Sequence, residues 1–136
     1  MGIGLPTGTP APEFQLPSLT GETRTLQSLP NGGRKVLLIF SSPFYDPCAA
    51  LVPELIRWMR EMENLPAIIL ISRGSAKDNL SKLKGFELSG ILLQHEFEVS
   101  EAYDSISTPT GVLINADGLI ESGLAVGRDA IRQLLQ

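Results

Sequence analysis

Two stretches of the chain, Val36–Phe40 and Ala67–Ile71, are apolar at every position, and this feature narrows the fold more than any other. A strand with one face in water alternates apolar and polar residues, whereas a strand apolar on both parities must be covered on both faces. The reading therefore places a central strand over 35–42, introduced by Asn31-Gly-Gly33, and a second buried strand over 67–72. Between them Cys48, Leu51, Leu55, Trp58 and Met62 recur at spacings of three and four, which is one face of a helix. Asp46 is the expected N-cap, Pro47 the first helical residue, and Pro53 a residue that bends the axis. Strand, helix and strand in this order form a right-handed parallel crossover, so the class is α/β.

The remaining segments extend that unit. Residues 1–12, rich in Gly and Pro, read as a flexible leader, and 13–136 as a single domain. Apolar residues on either side of Pro17, then Gly21 and Thr23–Leu26, predict an N-terminal hairpin. A surface helix is expected over 75–86, a short strand over 91–93, a helical turn over 99–103 and a closing helix over 129–135. Thr110–Asn115 and Leu119–Ser122 flank Ala-Asp-Gly118, a connection suited to an antiparallel hairpin. The expected fold is a mixed β-sheet with helices on both faces and an N-terminal β-hairpin extension.

Several function classes are excluded at this point. A net charge of −4 offers no positive field for a nucleic-acid backbone or an anionic bilayer. The apolar runs fall far short of the ~20 residues of a membrane span. A single cysteine, Cys48, allows no internal disulfide and no zinc site built on several thiolates. No metal and no cofactor is expected.

The strand-to-helix junction Phe40-Ser-Ser-Pro-Phe-Tyr-Asp-Pro-Cys48 resembles the active-site segment of thioredoxin-like proteins, most nearly the TlpA-like redoxin branch. Phe44, Cys48 and Pro53 match that branch's aromatic residue, second cysteine and helix proline. Gly8–Leu16 and Leu19-Thr-Gly-Glu22 resemble its amino-terminal hairpin. Thr108-Pro109, followed by Gly111–Gly118, resembles its cis-proline loop and terminal hairpin. The resemblance implies a thioredoxin-like fold and a redoxin domain of the thiol-disulfide oxidoreductase class, concerned with cell redox homeostasis. It also implies that Cys48 is the catalytic position, with Phe44, Tyr45, Thr108 and Pro109 forming the substrate-binding surface. The implied partners are protein thiols and disulfides or extended peptide segments, in an extracytoplasmic setting, with membrane tethering in a longer protein.

The departure from the branch carries as much information as the match. Where the first cysteine of Cys-x-x-Cys stands, this chain has Tyr45, giving Tyr45-Asp46-Pro47-Cys48. The buried acid of thioredoxins proper falls on Ile39. Disulfide exchange needs one thiolate to open a bond and a second thiol to resolve the mixed disulfide, so dithiol turnover is doubtful here. Cys48 begins an apolar stripe and is read as a buried, largely inert thiol. Two other readings remain open at this stage. One is a non-catalytic peptide- or protein-binding module that uses the cis-proline groove. The other is a one-cysteine peroxidase of the peroxiredoxin type. His95 reads as a surface residue, Arg73 as a solvated loop arginine, and Trp58 with the methionines as packing.

Overall fold

The structure, a computed structural model, describes residues 4–29 and 33–136. Met1–Ile3 of the expected leader and Asn31-Gly32 of the expected turn lie outside the described residues. The apolar stretches form β3 (Val36–Ser41) and β4 (Ala67–Arg73), which pair in parallel from Val36 opposite Ala67 to Ser41 opposite Ser72. Every residue of β3 is buried, as apolar residues on both parities require. The helix between them, α1, spans Asp46–Glu61.

The hairpin extension is present as β1 (Gln15–Pro17) and β2 (Thr23–Thr25), an antiparallel pair. β5 (Ile91–Gln94) pairs in parallel with β4, and β6 (Thr110–Ile114) pairs antiparallel with β3. A short β7 (Ala125–Val126), which the sequence reading did not foresee, pairs with Thr110 and Gly111 of β6. The main sheet is thus ordered β5-β4-β3-β6-β7. Three short helices complete the chain: α2 (Ala76–Leu80), α3 (Glu98–Ala102) and α4 (Arg128–Gln133).

Alternate residues of the sheet feed two cores. Leu38, Phe40, Ile71, Val112 and Ile114 pack with Val99, Tyr103 and the hairpin's Leu16 on one face. Leu37, Ile39, Ile68 and Leu70 pack with Leu51, Leu55 and Trp58 of α1 and Ile131 of α4 on the other. The period-two geometry of a strand makes this division automatic.

Three expectations need correction. The cap of α1 is Tyr45, not Asp46, because the Tyr45 carbonyl already accepts from the amides of Cys48 (3.0 Å) and Ala49 (3.4 Å). Asp46 and Pro47 are the first helical residues, where the missing N–H of proline leaves no intrahelical bond unmade. The helix expected over 75–86 ends at Leu80. There the Asn79 carbonyl takes the amides of both Lys82 and Leu83 at 3.0 Å, and the chain turns so that Leu83 and Phe86 are buried.

Finally, the part of the leader from Gly8 to Ala11 is bonded rather than loose. Gly8 donates to Ile120 (2.8 Å) and Ala11 to Gly118 (2.9 Å), while the Ile120 amide donates to Thr9 (2.8 Å).

Candidate functional site

Parallel strands deliver their following loops to one end of a sheet, and an antiparallel neighbour delivers its preceding loop to the same end. Here that end receives Ser42–Tyr45 after β3, Gly74 after β4, His95–Phe97 after β5 and Ser105–Pro109 before β6. The opposition of Phe40 and Thr110 brings the first and last of these loops side by side. The sequence-predicted residues Phe44, Tyr45, Cys48, Thr108 and Pro109 therefore share one end of the molecule.

Their environments differ sharply. Ser42 and Pro43 are buried, and the Ser42 side chain accepts the Phe44 amide at 3.3 Å, which fixes the turn into α1. Phe44 and Tyr45 then stand in solvent, 62% and 51% exposed. Cys48, the third helical residue, is 1% exposed and carries a free thiol. The thiol thus lies beneath the surface that the two aromatic residues present.

The Thr108–Pro109 peptide bond is cis. Its loop is held at both ends: the Thr110 hydroxyl donates to the Ser107 carbonyl (2.8 Å), the Ser105 amide to Ser100 (2.8 Å), and the Gly127 amide to Pro109 (2.9 Å). Pro109 is buried and Thr108 half-buried. Among the described residues the backbone N–H and C=O of Thr108 have no hydrogen-bond partner. An open backbone pair of this kind can accept an extended chain.

Sequence reasoning missed the bridge between the two halves of this end. The Arg73 guanidinium lies 5.6 Å from the centre of the Phe44 ring and 4.8 Å from that of Phe97. It is also paired with Glu96 at 2.7 Å, so it is not a solvated loop arginine. Phe44 rests beside Gly74, whose φ of +98° is a backbone conformation that favours glycine. Phe97, Ile106 and Thr108 line a small cavity of about 130 Å³ together with Ser100, Ser105 and Ser107. The only available signal was the isolation of Phe97 and Ile106 as single apolar residues in polar surroundings.

The electrostatics of this end are set by fixed carboxylates. Glu98 accepts the backbone amides of His95 (2.9 Å) and Glu96 (2.6 Å). Partial burial pushes its carboxyl up, but those amides and its own outweigh burial and hold it below the ordinary value. Glu54 on α1 is held low by Arg128 and by Arg57. His95 is exposed, and no group of three His, Cys, Asp or Glu side chains among the described residues could hold a metal ion. No helix there is long and apolar enough to cross a membrane.

Comparison with known proteins agrees with this geometry. The AhpC/TSA family matches residues 7–122. The methylamine utilization protein MauD of Paracoccus versutus is 32% identical over 133 residues, covering 95% of this chain and 64% of that protein. The thioredoxin-like protein YneN of Bacillus subtilis is 27% identical over 123 residues, covering 88% of this chain and 71% of its own length. The chain thus spans less than two thirds of the MauD relative. Among solved structures, the thioredoxin domain of a thiol-disulfide oxidoreductase from Bacteroides vulgatus superposes with a TM-score of 0.72 at 19% identity, covering 97% of this chain and 99% of that one. The match over most of its length shows that this chain belongs to the AhpC/TSA family, and its sheet order and cis-proline loop give it the thioredoxin-like fold of a redoxin domain.

Proposed function

We propose that the domain engages protein thiols and disulfides at the end formed by Phe44, Tyr45, Thr108 and Pro109, and that it does not complete a dithiol cycle by itself. The observation that carries this reading is the division of labour along Tyr45-Asp46-Pro47-Cys48. The exposed position at the cap of α1 is a phenol, and the one thiol, Cys48, is 1% exposed beneath it. A thiolate that attacks a partner's disulfide forms one mixed disulfide and releases one partner thiolate. Breaking that mixed bond requires another thiol, and this chain has none to give. The Thr108 backbone and the aromatic residues beside it can still hold an extended segment.

The test is dithiothreitol-driven reduction of insulin by this chain and by Tyr45→Cys. Dithiothreitol can itself break a mixed disulfide, so the expectation rests on burial: with Cys48 1% exposed the unmodified chain is expected to match the reagent blank, while Tyr45→Cys, which places a thiol at the exposed cap, gains turnover. Multiple turnovers by the unmodified chain would overturn the reading. Failure of Tyr45→Cys to turn over would remove the case for an oxidoreductase scaffold.

A further inference from the structure

The end that carries the site also gathers most of the exposed large apolar side chains. Among the described residues Phe44, Tyr45, Phe97 (42%), Ile106 (98%) and Val126 (45%) stand there, whereas Met59, Leu80 and Leu88 are scattered elsewhere. Single exposed apolar residues are ordinary, but a contiguous group is a mark of binding. The contacts already described join Phe44, Phe97 and Ile106 into one group, with Tyr45 and Val126 on neighbouring loop and strand. Arg73 stacks on both Phe44 and Phe97, Phe97 shares a cavity with Ile106 and Thr108, and Val126 opposes Thr110 on the far side of Pro109.

The cavity between Phe97 and Ile106 is close in size to one that holds a benzene ring, roughly 150 Å³. It is therefore sized for one large apolar side chain. It adjoins Thr108, whose backbone is open, and along an extended chain successive side chains point to opposite faces. One side chain would enter while its neighbours face the rim.

That rim is acidic. Asp46, Glu101 and Asp104 are exposed and make no ion pair among the described residues. Two arginines near them are already committed, Arg73 to Glu96 and Arg128 to Glu54 and Asp129.

We propose that the cavity of Phe97 and Ile106 receives one large apolar side chain of a partner polypeptide lying extended along Thr108, with lysine or arginine residues on either side of it meeting Asp46, Glu101 and Asp104. This rests on the reading of the site as one that engages protein segments, and it names the kind of segment.

The probe is a fluorescein-labelled peptide with the core Lys-Thr-Phe-Thr-Lys, compared with versions carrying Ser for Phe or Glu for both Lys, by fluorescence anisotropy at low and high salt. The parent peptide is expected to bind, each altered version about tenfold more weakly, and salt to reduce the parent's affinity. Ile106→Ser and Phe97→Ser are each expected to weaken it about tenfold, and Leu88→Ser to leave it unchanged. Ile106 is 98% exposed, so its loss removes no packing and folding is not at issue.

Equal binding of the Lys and Glu peptides, undiminished binding by Ile106→Ser, or no binding of the parent overturns the proposal. Insulin reduction by Tyr45→Cys is measured in parallel. Turnover without peptide discrimination sinks this proposal alone, while peptide discrimination without turnover sinks the oxidoreductase reading alone.

Discussion

Cys48 has almost none of its surface in water, and a reagent must wait for the start of α1 to open before it reaches the sulfur. Iodoacetamide is therefore expected to label the native protein at least about tenfold more slowly than the same chain in denaturant, read by mass spectrometry. Labelling at equal rates would mean that the first turn of α1 is open in solution. This burial was legible in the sequence because Cys48 starts the apolar stripe that continues at Leu51, Leu55 and Trp58. The setting of Arg73 was not legible. Its partners come from the loops after two other strands, Phe44 from the one after β3 and Glu96 and Phe97 from the one after β5, and Glu96 lies 23 residues downstream. Nothing in a local pattern reports which loops the sheet order will place together.

At the scale of the element, the loop bearing Phe97 depends on the Glu98 carboxylate, which gathers amides that would otherwise point into the turn. Its folded-state value lies below the ordinary 4.5, so the charged form is favoured by folding. The stabilisation is present at pH above that ordinary value and is lost as pH falls through the lower folded value. Glu98→Gln should lower the urea midpoint at pH 7, and the difference should shrink as pH drops below 4.5. Because Glu98 is exposed, screening keeps the effect below about 1 kcal/mol. A difference that persists unchanged at pH 3 would assign the effect to shape rather than charge. The expected helix over 75–86 shows the matching limit of periodicity. Ser75 begins α2 with a capping box, as a helix start should. Yet the Asn79 side chain donates to Arg73 (3.0 Å) and Ser75 (2.8 Å), and the backbone turns to bury Leu83. A tertiary demand ended a helix that propensity alone would have continued.

For the whole molecule, β3 is common to both cores, so damage to one should be felt in the other. Leu55 is fully buried between α1 and the sheet, and Leu55→Ala is expected to cost about 2–5 kcal/mol. Trp58 reports the same layer, while Tyr103, packed against Phe40 at 5.6 Å between ring centres, reports the opposite one. Denaturation followed by Trp58 fluorescence and by far-ultraviolet circular dichroism should shift by the same amount in Leu55→Ala, and separate midpoints would mean two independent layers. The architecture was readable at this scale because doubly apolar strands and one amphipathic stripe leave few arrangements open. β7, two residues long, has no pattern to read. The bonds of Gly8–Ala11 to the strand-like run at Leu119–Ile120 have a counterpart at the opposite border, where Ser18 bridges Leu92 and the Leu19 amide reaches Ile91. One early stretch of chain thus covers β5 at one margin of the main sheet and the run that follows β6 on the other side. Without it, two rows of unmet amides and carbonyls would invite other copies to add strands. The opening segment thus guards backbone that would otherwise recruit its like, and its loss is expected to show as polymerisation in concentrated solution rather than as a defect at the thiol.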